Sequence, residues 1–158
     1  MADPTTTTRS APGGIRLEEG HPIKVAFASD PDICFEEVAT TPPELDGGEP
    51  IDTTTAFRTV WRTKSPQTLV TLSPFQVRVA YDPLVYTQVR AIINVNNSIT
   101  VRFPDGSTLD FWGYLQKFTP QETKEGNRPE ATVVIVPTNW DSSNNVEAGP
   151  AYTDAAGT

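Results

Sequence analysis

The sequence predicts a mainly β protein, an antiparallel β-sandwich or barrel with one flanking α-helix. Three observations predict it: the dominant hydrophobic period is two, the apolar runs are short and end at turn residues, and a single segment repeats at helical spacing. The chain has 158 residues, of which 37% are apolar, which is enough for one domain with a core but not for two. We therefore expect short strands that each cover a common core with one face.

The strands are expected where apolar and polar residues alternate or where β-branched residues run together. Turn residues in Pro104–Ser107 separate two such regions and predict a hairpin. In the aromatic region that follows, the period of two places Trp112, Tyr114 and Phe118 on one strand face and Phe111 on the other. The expected strands, in chain order, are Ile23–Phe27, Ile33–Thr40, Val60–Arg62, Thr68–Leu72, Phe75–Tyr81, Ile99–Phe103, Leu109–Phe118 and Ala131–Val136.

One segment departs from this period and predicts a helix over 83–94. Asp82 is a suitable N-cap, and Pro83 suits the first helical position because its missing N–H is not needed there. Asn94 is expected to end the helix. The apolar residues that recur at helical spacing are Leu84, Val85, Val89, Ile92 and Ile93.

Composition divides the chain into three parts. Residues 1–14 contain almost nothing to bury and predict a flexible N-terminal arm, while residues 141–158 are small, polar and acidic and predict a flexible C-terminal tail. Residues 15–140 are expected to form the folded domain. Within it, residues 41–57 are so rich in Pro and Gly that they predict a long irregular loop, and a loop of that length usually serves a function.

Charge and cysteine content exclude several classes of protein. Twenty acidic against twelve basic residues give a formal net charge of −8, which argues against a general affinity for nucleic-acid backbones. The single cysteine, Cys34, cannot form an internal disulfide or a cysteine-ligated metal site. No apolar run approaches the roughly 18–20 residues that cross a bilayer, and Met1–Gly14 lacks a secretory signal. We expect a soluble protein made in a cytoplasm.

The charges are also segregated along the chain. Eight acids and no Lys or Arg lie in Val25–Phe57, whereas six bases and one acid lie in Arg58–Arg102. The two blocks can simply be neighbours within one fold. Alternatively, they can form the two sides of a head-to-tail contact between identical copies, which closes into rings or propagates as filaments.

Catalytic and metal-binding patterns are scarce. The lone histidine, His21, precedes a proline at the entry to a strand, and adjacent acids such as Glu36 and Glu37 point to opposite faces of a strand. Asp141–Glu147 has oxygen ligands at alternating positions, but it lacks the glycine and the bidentate acid of a calcium loop. We therefore expect no enzyme, no metal site and no cofactor.

Four segments together resemble the major tail tube proteins of long-tailed, non-contractile bacteriophages. They are PPELDGGEPIDTTT (42–55), YDPLVYTQV (81–89), INVNNSITVRFPDGSTLDFWGYLQKF (93–118) and ATVVIVPTNWD (131–141). The resemblance extends from about Thr40 to Asp141. Its most specific parts are the Pro- and Gly-rich loop that leads into Ile51–Thr54, and the PDGS turn followed by an aromatic strand.

The resemblance implies a structural virion protein that forms six-membered rings, stacked into a hollow tube through which the genome leaves the capsid. It implies assembly in the cytoplasm of a host bacterium and partners that include the protein itself, a tape measure protein, a tail terminator and a distal tail protein. The inner strands of the six copies would pair edge to edge around the lumen. It also implies contacts with neighbouring subunits or rings for Pro42, Pro43, Leu45, Asp46, Gly47, Gly48, Ile51, Asp52, Thr53 and Thr54.

The distribution of charge adds further candidates for subunit contacts and for the lining of the lumen. The inversion at residue 58 adds Arg58 and Arg62 to the expected contact residues. An acidic lumen suits a conduit for DNA, because a wall that repels phosphate does not trap the passing genome. Glu36, Glu37 and Asp110 are the candidates to line this lumen.

Other classes share parts of this profile. A capsid decoration protein or a tail terminator would also be β-rich, acidic and free of catalytic groups, and a carbohydrate-binding module would use the aromatic strand. The size of the assembly distinguishes them. Open-ended tubes indicate a tail tube, a closed single ring indicates a terminator, and a monomer or trimer indicates a decoration protein or a lectin.

Overall fold

A seven-stranded antiparallel sheet is the main element of the computed structural model, which describes residues 23–31, 33 and 35–155. Within these residues the predicted fold class is confirmed, because the chain is mainly β and antiparallel with one helix. The elements are β1 (Lys24–Phe27), β2 (Phe35–Thr40), β3 (Leu45–Asp46), β4 (Ile51–Asp52), β5 (Lys64–Ser65), β6 (Thr71–Leu72), β7 (Phe75–Tyr81), α1 (Val85–Ile92), β8 (Asn97–Arg102), β9 (Thr108–Pro120), β10 (Glu130–Pro137), β11 (Trp140–Asp141), β12 (Val146–Glu147) and β13 (Ala151–Thr153).

The longest strand, β9, connects the two halves of this sheet. The strand order is β1, β8, β9, β10, β7, β2, and β13 also pairs with β9. Residues Thr108–Gly113 of β9 pair with β8, whereas Gly113–Pro120 pair with β10. Both halves therefore share one strand and one continuous core.

The sheet rolls up until its two edge strands, β1 and β2, approach each other. The Glu37 carboxylate on β2 accepts a hydrogen bond from the backbone N–H of Val25 on β1 at 2.7 Å. The Thr40 hydroxyl donates to the Ile23 carbonyl at 3.5 Å. Because an unpaired edge N–H is costly to bury and exposes a sheet to aggregation, this side-chain bond satisfies the edge where the barrel closes.

The core fills the inside of the rolled sheet. Each strand contributes alternate residues, so that Phe75, Val77 and Val79 of β7 are buried while Gln76 and Arg78 are exposed. The buried apolar residues described are Val25, Phe27, Leu72, Phe75, Val77, Val79, Val85, Val89, Ile92, Ile99, Val101, Phe111, Leu115, Ala131, Val133 and Ile135. Dense packing of β-branched side chains accounts for the clear period of two in the sequence.

The helix is shorter at its start than predicted. Asp82 is not the N-cap; its carboxylate accepts the Leu84 N–H at 2.9 Å in a tight turn, and α1 begins at Val85. The helix also ends two residues before the predicted end: its last residue is Ile92, Ile93 is extended, and Asn94 then takes a left-handed conformation with a φ of 58°. The Asn94 N–H donates to the Leu115 carbonyl at 2.9 Å, which fixes this end of the helix to β9.

A bulge in β9 makes the predicted orientation of Phe118 wrong. Leu115 pairs with Ile135 and Lys117 pairs with Val134, so that Gln116 is an extra residue on β9. Phe118 is thereby returned to the core side and packs edge-on against Tyr81, with ring centroids 5.4 Å apart. It does not share a face with Trp112.

Two other predictions differ from the structure. Val60–Arg62 is exposed and lies outside any strand, so the strand predicted there is wrong; the nearby strand is β5. The segment predicted as a flexible tail instead contains β12 and β13, and Tyr152 of β13 lies opposite Leu109 of β9. This segment is ordered because β13 pairs with the edge of β9. The local sequence pattern does not indicate this long-range pairing.

Several predicted features lie outside the described residues. They include the N-terminal arm at residues 1–14, His21 and Cys34. Among the residues described, α1 has eight residues, and no helix is long and apolar enough to cross a membrane.

Gly113 lies where β8, β9 and β10 meet and has no room for a side chain. A Cβ there would lie 2.7 Å from the Val136 carbonyl oxygen and 3.2 Å from the Pro137 Cα, which are backbone atoms that cannot move aside. We expect Gly113→Ala to lower the free energy of unfolding by about 1–3 kcal/mol in urea denaturation. Gly47→Ala, where no atom lies within 4 Å of the new Cβ, should change it by less than about 0.5 kcal/mol. Equal effects of the two changes would contradict this packing.

The seam between β1 and β2 gives a second prediction. Glu37→Ala removes the acceptor of the Val25 N–H, and we expect a loss of about 1–3 kcal/mol in the free energy of unfolding. Glu36, its neighbour on β2, is exposed, and Glu36→Ala should change stability by less than about 0.5 kcal/mol. A Glu37→Ala protein as stable as Glu36→Ala would show that the seam does not depend on this carboxylate.

Candidate functional site

A long excursion leaves the barrel between β2 and β7 and contributes almost nothing to the core. Residues 44–71, which we call the projecting hairpin, are exposed apart from the half-buried Thr63 and Ser65. Backbone hydrogen bonds at its base continue the β2–β7 ladder and join the two ends of the excursion. The Thr41 N–H donates to the Gln76 carbonyl at 3.2 Å, and the Ser73 N–H donates to the Glu44 carbonyl at 2.8 Å.

The projecting hairpin is internally ordered, and residues 41–57, predicted as an irregular loop, contain the two-residue strands β3 and β4. β3 pairs with β6, and β4 pairs with β5, both antiparallel. Between them, Gly48 takes a positive φ of 76°, and its N–H donates to the Asp46 carboxylate at 2.8 Å. The Gln67 side chain donates to the Glu49 carbonyl at 2.9 Å. This bond joins the two branches of the hairpin, residues 44–52 and residues 64–71.

The tip of the projecting hairpin, Thr53–Thr63, is closed by threonine hydrogen bonds. The Thr53 N–H donates to the Thr63 carbonyl at 2.9 Å, and the Thr63 N–H donates to the Thr54 hydroxyl oxygen at 3.0 Å. The Thr54 side chain and its backbone N–H hold the pKa of Asp52 below its ordinary value. Asp52 is therefore ionised at neutral pH, directly across the ladder from Lys64.

Large apolar side chains cover the projecting hairpin, and no residue that the structure describes buries them. Phe57 is 93% exposed and Trp61 is 80% exposed. Isolated exposed apolar residues are common, but a concentration of them on one projecting element indicates a contact surface. The exposed set on this element is Leu45, Ile51, Phe57, Val60, Trp61, Leu69 and Val70.

The expected contact residues all lie on or beside this element. Pro42 is exposed and Pro43 half-buried at its base. Leu45 and Asp46 form β3, Gly47 and Gly48 follow it, Ile51 and Asp52 form β4, Thr53 and Thr54 begin the tip, and Arg58 and Arg62 lie within the tip.

Sequence reasoning missed the second branch of the projecting hairpin. It ended the loop at residue 57 and treated Val60–Arg62 and Thr68–Leu72 as strands of the main fold. Three apolar residues, Val60, Leu69 and Val70, are exposed there instead. In the sequence these apolar residues are scattered among Pro, Ser and Thr and follow neither a strand period nor a helix period. That irregular spacing was the signal that they do not belong to the core.

The three lumen candidates have different surroundings. Glu36 is exposed, whereas Glu37 lies opposite the buried Val79 and uses its carboxylate at the seam. Asp110 on β9 is half-buried and accepts a hydrogen bond from the Thr100 hydroxyl on β8. Only Glu36 of the three therefore has no partner for its carboxylate among the described residues.

The acidic and basic blocks meet partly within one chain. Asp52 faces Lys64 across the β4–β5 ladder, whereas Arg78 of the basic block lies 3.3 Å from Glu130, which is outside the acidic block. In contrast, no ion pair involves Arg58 or Arg62 in the part of the chain that the structure describes. The tip thus carries two positive charges that form no ion pair with the residues described.

The described part of the chain contains no candidate metal-binding site. Within residues 23–31, 33 and 35–155, no group of three or more His, Cys, Asp and Glu residues is placed to hold a metal ion. The feature that stands out in the structure is thus the projecting hairpin, which is suited to contact with another macromolecule.

Comparison with known proteins adds a likeness of fold. No protein-family model and no curated protein matches the sequence. Among solved structures, the chain is similar to one in the cryo-EM structure of the anti-feeding prophage (AFP) baseplate, 6-fold symmetrised, with a TM-score of 0.56. The match has 10% sequence identity and covers 89% of this chain and 98% of that one. The barrel and its excursions therefore form a fold that also occurs in a prophage baseplate.

Proposed function

We propose that this protein is a structural subunit of a bacteriophage tail, and that its copies form stacked six-membered rings of the tail tube. The observation that carries the proposal is the projecting hairpin, which is ordered by its own hydrogen bonds but exposed along nearly all its length. A rigid element that buries so little in its own chain is suited to packing against another copy.

Burial of the exposed apolar side chains of the projecting hairpin would drive assembly. Full burial of one large apolar side chain, such as Leu, Ile or Phe, stabilises the buried state by about 1.5–3 kcal/mol. Assembly can bury the seven apolar side chains of the projecting hairpin, whereas folding of one chain leaves them in water. Because the internal bonds already fix the hairpin, little conformational entropy remains to be lost on contact.

The geometry of such a contact favours rings. The projecting hairpin of one copy would meet a different surface on the next copy, so the contact is heterologous. Heterologous contacts close into a ring when the rotation between copies fits, and they continue as filaments when it does not. The six-fold symmetry of the similar baseplate, together with the sequence resemblance, supports a ring of six.

In this proposal the inner wall of the tube repels DNA and does not bind it. With a net charge of −8 per copy, a lumen carrying acids such as Glu36 repels the phosphates of a passing genome. The role needs no catalysis and no cofactor. A tape measure protein inside the tube, a tail terminator at one end and a distal tail protein at the other are the further partners.

A tail terminator or a capsid decoration protein is the second candidate, since each would share the mainly β fold. Either would assemble as a single closed ring or as a small oligomer. A carbohydrate-binding module is less well supported, because Trp112 and Tyr114 are both half-buried and do not form an exposed row.

Removal of the projecting hairpin tests the proposal. We expect the purified wild-type protein to form open-ended tubes in negative-stain images. Replacement of residues 44–71 by a short Gly/Ser linker should give a folded protein that forms no tubes, because Thr41 and Gln76 are already hydrogen-bonded at the base. Its melting temperature should stay within a few degrees of the wild type, since nearly all the removed residues are exposed.

The matched control is the turn between β9 and β10, where residues 122–127 are also exposed. Replacing that turn by the same linker should leave tube formation intact. Wild-type chains that form only monomers or trimers, or normal tubes without the projecting hairpin, would contradict the proposal.

A further inference from the structure

A second exposed surface lies at the other end of the chain, on the hairpin formed by β11 and β12. We call residues Trp140–Glu147 the C-terminal hairpin. Trp140 lies directly opposite Glu147, so the two side chains share one face. Trp140 is 46% exposed and Glu147 is exposed, which places an indole beside a carboxylate on the surface.

Hydrogen bonds hold the C-terminal hairpin against the barrel. The Asn96 side-chain amide donates to the Trp140 carbonyl at 2.8 Å, and the Thr138 hydroxyl donates to the Asn96 side-chain oxygen at 2.8 Å. The Asp141 carboxylate accepts the Ser143 N–H at 2.8 Å and closes the turn. The Asn144 side chain holds the pKa of Asp141 below its ordinary value, so this acid is ionised at neutral pH. The surface is therefore both rigid and negative.

The charges of the C-terminal hairpin complement those of the tip of the projecting hairpin. The C-terminal hairpin contains two acids, Asp141 and Glu147, and no Lys, Arg or His. The tip, Thr53–Thr63, contains Arg58 and Arg62 and no acid. Each surface also carries exposed aromatic side chains, Phe57 and Trp61 on the tip and Trp140 on the C-terminal hairpin.

We propose that the tip of the projecting hairpin of one copy docks on the C-terminal hairpin of a second copy. In this contact Arg58 and Arg62 meet Glu147, and a guanidinium can also stack on the Trp140 ring, as arginines do on exposed indoles. Phe57 and Trp61 bury apolar surface against Trp140. The inference rests on the proposed self-assembly and specifies which surfaces meet.

The partner is a second copy because one chain does not make this contact with itself. Both surfaces are exposed in the single chain, where Trp61 is 80% and Trp140 is 46% accessible. The ten residues from Glu44 to Thr53 can place the tip up to about 30 Å from the barrel. A neighbouring barrel is within that reach.

Charge reversal tests the contact. We expect R58E/R62E and E147K each to raise the concentration at which the chain assembles by about tenfold or more, as measured by sedimentation velocity and negative-stain imaging. The triple variant R58E/R62E/E147K should restore assembly, because the charges are reversed on both sides. Asp141 is left unchanged, since its carboxylate closes the turn.

Matched controls use exposed residues elsewhere on the barrel. K117E/K124E changes the net charge as much as R58E/R62E does, and E125K matches E147K; both should assemble like the wild type. Circular dichroism of every variant establishes that it is folded.

A cross-link provides a second measurement that does not depend on rescue. In Arg62→Lys chains, a carbodiimide should form an amide bond between the new amine and the Glu147 carboxylate, with loss of one water. When ¹⁵N-labelled and unlabelled chains are mixed before assembly, the linked peptides should include mixed-isotope pairs.

The outcomes separate this inference from the proposed function. If the wild type forms tubes but R58E/R62E and E147K assemble normally, or if only same-isotope links form, the docking is wrong and the tube remains. If the triple variant stays unassembled and no cross-link joins residue 62 to Glu147, the docking is also wrong. If the wild type remains monomeric at every concentration, both proposals fail.

Discussion

Burial of one face of the rolled sheet is the constraint on which the rest of the structure depends. The core described extends from β1 to β10 and α1, and the seam at Glu37 closes the sheet around it. Leu72 is the only residue of β3–β6 that is buried. No residue of the projecting hairpin therefore belongs to the core described, and its side chains remain available for the proposed contact between copies. In that proposal, separate surfaces serve folding and assembly.

The internal order of the projecting hairpin affects how strongly it can bind. Two-residue ladders, an Asx turn at Asp46 and the threonine bonds between Thr54 and Thr63 fix its shape before any contact forms. A disordered loop would lose conformational entropy for each residue ordered on binding, roughly 1–2 kcal/mol per residue for the backbone alone. A preformed hairpin avoids most of that loss. The exposed aromatic residues at its tip are then free to contribute their burial to assembly.

The elements that the sequence predicts well are those governed by local pattern. The observed bounds of β7 match the predicted ones, and the left-handed turn at Asn94, two residues after α1, follows from the tolerance of asparagine for that conformation. The predictions fail where distant residues decide. The bulge at Gln116 depends on pairing with β10, and β13 depends on the free edge of β9. The expected contact residues did fall on one element, but its second branch, with Trp61 and Leu69, has no periodic signal.

Hydrogen exchange of the projecting hairpin tests the central claim most directly. Amide exchange of peptides from residues 44–71 can be compared between dilute, unassembled protein and the assembled form. The exposed turn at residues 122–127 provides an internal reference. We predict that exchange at the tip slows strongly on assembly, because another copy covers it, while exchange in the reference turn is unchanged. Equal exchange of the tip in both states would contradict the claim that this element forms the contact between copies.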